Sequence, residues 1–194
     1  MASPVQEKYH DSNPVVRALL GRFFERIGAA VRESSPAVIL DAGCGEGELV
    51  RRGVLPADMR VISLDLRPES LAWFRDHSNQ RRLVCGSLTS LPLPDQSVDT
   101  ALCLEVLEHL DRPLVALQEL SRVARKRIIL SVPYEPWFRI ANVFRGKHLQ
   151  RWGDHPEHVQ HWNIRTFRAF LEPALGRVRL LNAFPWIIAI YDRG

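Results

Sequence analysis

The feature that most constrains the fold of this chain is an apolar run that ends on an acid and breaks into alternating glycines, residues 38–47, VILDAGCGEG. A short apolar run of this kind predicts a buried parallel strand, and the glycines predict a turn where the backbone passes close to a ligand. A strand that runs through a glycine-rich turn into a helix commonly binds nucleotides, because the helix start offers free N–H groups. The stretch therefore predicts an α/β fold with a ligand at the end of this strand.

The glycine spacing separates this turn from the dinucleotide-binding one. Asp41 precedes the glycines, which gives Asp-x-Gly-x-Gly-x-Gly in place of Gly-x-Gly-x-x-Gly. A carboxylate at the strand end repels a pyrophosphate and attracts a cation. The motif therefore favours a ligand that carries a positive group and no phosphates, although an ordinary glycine-rich turn remains an alternative on this motif alone.

Composition indicates a globular protein. The 194 residues are 46% hydrophobic and 25% charged, which is ordinary for one folded domain spanning residues 1–194 and excludes disordered and fibrous classes. No apolar run approaches the length of a membrane span and the polar start has no signal-peptide core, so a cytoplasmic location is expected. Three cysteines, Cys44, Cys85 and Cys103, predict reduced, mostly buried thiols. The net charge of +4 permits an anionic substrate or a nucleic acid and indicates neither. Four basic residues are expected to form a solvated cluster that caps the end of a helix, with a nucleic-acid site as the alternative; they are Arg122, Arg125, Lys126 and Arg127.

The pattern along the chain predicts alternating strands and helices. Asn13 followed by Pro14 predicts a helix start, and an apolar stripe continues the helix to about Arg32. The last two predicted strands, near 177–181 and 186–191, are separated by too few residues for a parallel crossover and must be antiparallel. Five earlier apolar runs predict the remaining strands, at 38–41, 59–65, 82–85, 99–105 and 128–132. The predicted fold is a Rossmann-like, doubly wound, seven-stranded α/β sheet, mostly parallel with a C-terminal antiparallel hairpin.

The glycine motif resembles the first motif of the class I S-adenosylmethionine-dependent methyltransferases, and the resemblance runs from about Asn13 to the C-terminus. It implies that S-adenosylmethionine is the cofactor and that the turn holds its methionine part near the sulfonium and amino groups. The cofactor-binding residues that the resemblance and the strand-end positions indicate are Asp41, Gly43, Cys44, Gly45, Asp65, Leu66, Ser87, Leu88 and Glu105.

Two of these positions have specific expected roles. Asp65 ends the second strand, where a carboxylate can accept hydrogen bonds from both hydroxyls of a ribose; its alternative role is to cap the following helix. Ser87 stands where the family commonly has an aspartate near the adenine amino group. A serine accepts more weakly, which shifts the expected adenine contact towards the Leu88 N–H.

Residues 105–109, EVLEH, are the candidate catalytic segment at the end of the fourth strand. If the segment is helical, Glu105, Glu108 and His109 lie at the i, i+3 and i+4 spacing that lets three side chains converge. Two carboxylates and an imidazole suit a hard divalent cation, Mg²⁺ or Mn²⁺.

The Glu-x-x-Glu-His pattern resembles two metal-using branches of the family, the small-RNA 3′-end 2′-O-methyltransferases and the ubiquinone-pathway O-methyltransferases. In both, a further histidine comes from the loop after the fifth strand; here it is His158, with His155 and His161 as substitutes. The predicted metal ligands are Glu105, Glu108, His109 and His158, and the predicted catalytic residues are His109, His158 and Glu105. The alternative is a metal-free methyltransferase in which a histidine serves as general base.

Two segments are predicted to cover the site. Residues 1–35 contribute the first helix and a lid with Tyr9 and His10, and residues 133–163 form a substrate-covering insertion. The insertion is too long for a plain connection and too aromatic for a disordered linker. Its aromatic side chains could cover an apolar acceptor and its basic ones could hold an anionic group, and the alternative is that the aromatic side chains only anchor a lid.

The predicted function is transfer of a methyl group from S-adenosylmethionine to a small molecule, with oxygen as the favoured atom and Mg²⁺ or Mn²⁺ assistance as one route. One alternative is an RNA or nucleotide 3′-end 2′-O-methyltransferase, and another is a non-catalytic S-adenosylmethionine-binding protein. A domain of this length leaves little room for an RNA-binding extension, so no nucleic-acid partner is expected. The remaining expectations are a small-molecule substrate, no membrane span, and a monomer or homodimer.

Overall fold

The computed structural model describes residues 13–55, 59–80, 82–135 and 159–194. Its described strands form one seven-stranded sheet in the order β3-β2-β1-β4-β5-β7-β6. The strands are β1 Val38–Ala42, β2 Arg60–Asp65, β3 Leu83–Cys85, β4 Val98–Leu104, β5 Ala124–Pro133, β6 Arg179–Ala183 and β7 Trp186–Asp192. The helices are α1 Pro14–Ser34, α2 Glu48–Arg51, α3 Pro68–Asp76, α4 Pro113–Val123 and α5 Ile164–Leu175, with a 3₁₀ turn at Leu107–His109.

The strand order opens a crevice between β1 and β4. β1 pairs in parallel with β2 on one side and with β4 on the other, so the winding direction reverses between β1 and β4. Ligands of open α/β sheets bind beyond the carboxyl ends of the strands at such a reversal. β7 pairs antiparallel with both β5 and β6. The predicted mostly parallel sheet with a C-terminal antiparallel hairpin is therefore confirmed.

Helices cover both faces of the sheet. α1 begins where the Asn13 side chain accepts a hydrogen bond from the Val15 N–H at 2.9 Å, and Pro14 occupies the first helical position. Its apolar stripe, including Phe23 and Ile27, is buried against one face. α4 and α5 pack on the other face. Among the described residues, no helix is long and apolar enough to cross a membrane.

The four basic residues predicted to cap a helix do so only in part. α4 ends at Val123 and β5 begins at once, because Ala124 already pairs with Val98 of β4. Arg122 lies in the last turn of α4, as predicted, whereas Arg125, Lys126 and Arg127 belong to β5.

Arg125 and Lys126 contact the buried carboxylate of Asp99 at 2.8 and 3.1 Å. Burial raises the pKa of Asp99, but hydrogen bonds from Arg125 and the Val38 N–H outweigh it and hold that pKa below its usual range. Arg127 is a buried strand residue paired with Asp192. These pairs tie β4, β5 and β7 together at the amino end of the parallel strands.

The cysteines largely follow the prediction of reduced, buried thiols. All three are free; Cys44 and Cys103 are buried, while Cys85 is exposed at the end of the edge strand β3. The predicted lid residues Tyr9 and His10, and the insertion from residue 136 to residue 158, lie outside the described residues.

Candidate active site

The glycine turn leaves no room for side chains at two of its positions. Gly43 and Gly47 have φ angles of 81° and 75°, in the left-handed region that non-glycine residues rarely adopt. A Cβ atom on Gly43 would lie 2.4 Å from Cγ2 of Val106, and one on Gly47 would lie 2.1 Å from Cζ of Phe74. The turn therefore packs tightly between the segment after β4 and helix α3.

Hydrogen bonds fix the turn to the end of β2. The N–H groups of Gly43 and Cys44 both donate to the Leu64 carbonyl, at 2.7 and 2.9 Å. The Gly45 N–H donates to Oδ2 of Asp65 at 2.8 Å. The Arg67 N–H donates to the other oxygen, Oδ1, at 2.9 Å. The turn is thus preformed.

Asp65 fills the predicted role at the start of the following helix and keeps acceptor capacity for the predicted ribose role. Arg67 is the N-cap residue of α3, so its bond to Asp65 supports the helix start. Each carboxylate oxygen has a second lone pair, so Asp65 retains the capacity to accept from a ribose diol. Asp65 is 6% exposed and lies at the carboxyl edge of the sheet, where the sequence predicted it.

Five buried carboxylates lie at the ends of β1, β2 and β4 or shortly after them in the chain, and we call this set the acidic collar. Their exposed fractions run from 1 to 7%, and the members are Asp41, Glu46, Asp65, Glu105 and Glu108. Arg67 ion-pairs with the collar at 3.6 Å from Oδ1 of Asp65. Such a concentration of buried carboxylates disfavours a phosphate and favours a cation.

Asp41 is the collar carboxyl with a strongly raised pKa. Its carboxyl is 4% exposed and makes no hydrogen bond or ion pair with any described residue. Burial, and then the charge of Asp65, raise the pKa of Asp41 to about 7. A positive group placed beside Asp41 would restore the ionised form, because an opposite charge lowers the pKa of a carboxyl.

The two buried thiols near the collar are not nucleophiles. Burial is the main cause that raises the pKa of both thiols; the Asp41 charge adds to this at Cys44, and the Glu108 charge at Cys103. A neutral thiol is a poor nucleophile and a poor metal ligand. Cys44, predicted to bind the cofactor, can therefore contribute its backbone and its apolar surface.

The segment after β4 differs from the predicted helix. Glu105 has a φ of 58°, and the helical turn spans only Leu107–His109. The i, i+3, i+4 argument therefore does not apply to Glu105. Instead Glu105 is held by β5: its N–H donates to the carbonyl and to the hydroxyl of Ser131, at 3.1 and 3.2 Å. The Ser131 hydroxyl donates in turn to Oε1 of Glu105 at 2.9 Å.

The predicted metal ligands are only partly brought together. Oε1 of Glu108, a side chain that is 1% exposed, lies 3.9 Å from Nε2 of His109, whose side chain is 30% exposed. Within residues 13–55, 59–80, 82–135 and 159–194, no three His, Cys, Asp or Glu side chains are grouped as metal ligands are. His158 and its substitute His155 lie outside the described residues. The metal site therefore stays a prediction.

The residues expected to meet the adenine lie after β2 and β3. Leu66 follows Asp65 and is 65% exposed. The Ser87 hydroxyl accepts from the Thr89 N–H at 3.2 Å and lies 2.8 Å from the Thr89 hydroxyl. The Leu88 side chain is buried in the core. Leu66 thus offers open apolar surface, while the Ser87 hydroxyl is already used in a local turn.

Both ends of the predicted insertion are anchored at this edge of the sheet. The Glu135 N–H donates to the Trp162 carbonyl at 2.9 Å. The N–H groups of Val159 and Gln160 donate to the Glu108 carbonyl at 2.8 and 3.1 Å. A cavity of about 840 Å³ opens between the end of β5 and the start of α5, lined by Tyr134, Glu135, Asn163, Ile164, Arg165, Arg168, Ala169 and Glu172.

Sequence reasoning missed Ser131 and Glu46. Ser131 stands alone among apolar residues of a predicted buried strand, and a buried hydroxyl nearly always has a hydrogen-bond partner. That signal was present. Glu46 has no comparable signal, because only the fold of the turn shows that this acid points inward, with 3% of its surface exposed.

Comparison with known proteins shows a similarity to methyltransferases. Residues 40–131 match the model of a methyltransferase domain. The chain is 36% identical over 101 residues to a malonyl-acyl-carrier-protein O-methyltransferase from Pectobacterium atrosepticum, covering 52% of the chain and 40% of that protein. It is 39% identical over 89 residues to a probable S-adenosylmethionine-dependent methyltransferase from Mycolicibacterium smegmatis, covering 45% of the chain and 34% of that protein. The matched part of the chain thus spans two fifths or less of the length of these relatives.

A solved structure shares the whole fold. The magnesium protoporphyrin IX methyltransferase from Synechocystis PCC 6803, determined with bound SAH (S-adenosylhomocysteine), superposes with a TM-score of 0.70. It covers 100% of this chain and 89% of the other, at 18% identity. At that identity the likeness shows the fold alone.

Proposed function

We propose that this chain is an S-adenosylmethionine-dependent methyltransferase, which the match of residues 40–131 and the similar methyltransferases support. It binds S-adenosylmethionine at the glycine turn and transfers the methyl group to a small-molecule acceptor, with oxygen as the favoured atom. One observation carries the proposal: the buried carboxyl of Asp41 has no partner among the described residues. A sulfonium and an ammonium are the cationic groups of this cofactor, and the acidic collar suits both.

The described residues fit the cofactor in two further respects. The glycines at Gly43 and Gly47 let the turn pack closely against Val106 and Phe74, which fixes its backbone at the carboxyl edge of the sheet. The collar also disfavours phosphates, which supports a cofactor without them.

Each part of the cofactor would face a different segment at the carboxyl edge of the sheet. Asp41 and the backbone of Gly43, Cys44 and Gly45 face the methionine part, and Glu105 bounds it from the β4 side. Asp65 accepts from the ribose hydroxyls. Leu66 covers the adenine, with Ser87 and Leu88 at its edge. When bound, the cofactor supplies a methyl group on an activated sulfonium, so the protein contributes chiefly by positioning the acceptor.

A base is needed when the acceptor is a hydroxyl, because the oxygen loses its proton as it is methylated. His109 is our candidate among the described residues, since its Nε2 lies 3.9 Å from Oε1 of Glu108. The Glu108 carboxylate would stabilise the imidazolium that forms. His158 is the second candidate base. We further propose that Arg165 and Arg168, which line the cavity beside β5, attract an acidic acceptor.

Assistance by Mg²⁺ or Mn²⁺ remains a proposal that depends on His158, since the described residues alone do not supply three grouped ligands. Chelator treatment decides the matter: loss of methyl transfer, with cofactor binding retained, would support the metal. Equal activity with and without added Mn²⁺ after chelation would exclude it.

The test of the central proposal is calorimetric titration of the protein with S-adenosylmethionine and S-adenosylhomocysteine. We expect binding by the wild type and at least about tenfold weaker S-adenosylmethionine binding by Asp41→Asn, since a hydrogen-bonded charge pair contributes more than about 1.4 kcal/mol. Asp76→Asn, which removes a 60% exposed carboxylate of α3, is the control. Wild-type affinity in Asp41→Asn would contradict the assignment.

Acceptors are then tested by transfer of a labelled methyl group. Small hydroxy compounds that carry a carboxylate or a phosphate test the first proposal, and an RNA with a free 3′ end tests the alternative. Binding of the cofactor without transfer to any of them would favour the non-catalytic alternative. Light scattering of the same sample separates a monomer from a homodimer.

A further inference from the structure

We propose that Ser131 is a positioning residue that holds the Glu105 carboxylate in the acidic collar and thereby sets the affinity for the cofactor. This inference rests on the proposed function. Ser131 is fully buried in β5, and nothing in the sequence motifs of the site includes it.

The contacts between the two residues are reciprocal. Leu104, the last residue of β4, pairs with Ser131 in the sheet, so Glu105 is the first residue beyond that pair. The Glu105 N–H donates to both the carbonyl and the hydroxyl of Ser131, at 3.1 and 3.2 Å. The Ser131 hydroxyl donates to Oε1 of Glu105 at 2.9 Å. One serine thus holds both the backbone and the side chain of Glu105.

The contacts with Ser131 hold Glu105 in a backbone conformation that is unfavourable for a non-glycine residue. Glu105 has a φ of 58°, which non-glycine residues adopt only when their surroundings enforce it. The left-handed residue ends β4 and starts the turn that carries Val106 against the glycine turn and Glu108 beside His109. Fixing Glu105 therefore fixes the β4 side of the crevice.

The hydroxyl also affects the charge of the collar. A hydrogen bond donated to a carboxylate favours its ionised form. The Glu105 carboxylate, 7% exposed, receives such a bond at Oε1 from the Ser131 hydroxyl. The hydroxyl thereby helps Glu105 present a negative charge to a cationic ligand.

A double-mutant cycle tests whether Ser131 acts through Glu105. The four proteins are the wild type, Ser131→Ala, Glu105→Gln and the double variant, each titrated calorimetrically with S-adenosylmethionine. We expect Ser131→Ala to weaken binding about tenfold in the wild-type background, the size of one hydrogen bond to a charged group, and by less than about twofold in the Glu105→Gln background. A merely structural serine would weaken binding equally in both backgrounds.

Three further variants serve as controls for this cycle. Ser131→Thr keeps the hydroxyl and is expected to retain affinity within about threefold of the wild type. Ser131→Cys is nearly isosteric with a weaker donor, and replaces Ser131→Ala in the cycle should that variant not fold. Ser63→Ala removes another fully buried strand hydroxyl, whose partner at 3.3 Å is the Gln80 amide, and is expected to leave affinity unchanged.

The outcomes separate this inference from the proposed function. Absence of binding by the wild type would overturn the proposed function and this inference with it. Binding by the wild type together with equal binding by Ser131→Ala, or equal losses in both backgrounds, would overturn the inference alone.

Discussion

Replacing Asp41 by asparagine should stabilise the ligand-free protein, and the gain should grow with pH. Burial and the Asp65 charge raise the pKa of Asp41 from 3.8 to about 7. Because the folded protein prefers the protonated carboxyl, wild-type stability is highest below the unfolded pKa and falls as pH rises towards the folded one. A rise of roughly 3 in the pKa of this carboxyl corresponds to about 4 kcal/mol of unfolding free energy that the wild type loses above pH 7.

Asparagine has a similar shape and no charge, so it avoids this penalty. Urea unfolding of both proteins at pH 5 and at pH 8 measures the difference. We expect the advantage of Asp41→Asn to increase by about 2–3 kcal/mol between the two pH values, as the linkage relation requires. Asp76→Asn, at an exposed site, should change stability by less than about 0.5 kcal/mol at either pH.

An equal difference in stability between the two proteins at pH 5 and at pH 8 would show that Asp41 is not a buried carboxyl with a raised pKa. A ligand measurement provides a second check. If the ionised carboxylate binds the cation, wild-type affinity for S-adenosylmethionine should rise about tenfold between pH 6 and pH 8, while that of Asp41→Asn should not follow this titration.

Three other predictions concern the turn, the sheet and catalysis. Gly47→Ala should abolish cofactor binding and lower the melting temperature strongly, because its Cβ would overlap Phe74. The control is Gly53→Ala, at a position with a similar φ of 63° and open space, which should lower the free energy of unfolding by only about 1 kcal/mol. Asp99→Asn should destabilise the fold by about 2 kcal/mol at pH 7 in urea unfolding, and the loss should shrink in acid as the wild-type carboxylate, whose pKa is lowered, becomes protonated. His109→Ala should lower kcat at least about 100-fold while S-adenosylhomocysteine affinity changes less than about threefold, and an unchanged kcat would remove His109 as the base.

The sequence by itself determined the elements of the fold. The Asn13-Pro14 start, the period of the apolar stripe and the apolar runs act locally, so they predicted α1 and all seven strands to within a few residues. The acid before the glycines also predicts a cationic ligand at the end of β1, because a carboxylate attracts a positive charge at short range.

The tertiary structure alone decided what each polar group does. The basic residues after α4 became ion pairs, since Asp99 and Asp192 come from strands distant in sequence. Hydrogen bonds join Ser131 and Glu105, which lie 26 positions apart, because the register of β4 and β5 brings them together. These bonds hold Glu105, which lies outside the short helical turn. The pKa of Asp41 depends on burial and on the Asp65 charge. Hydrogen-bond partners, burial and charge are properties of the packed sheet, so no local pattern in the chain specifies them.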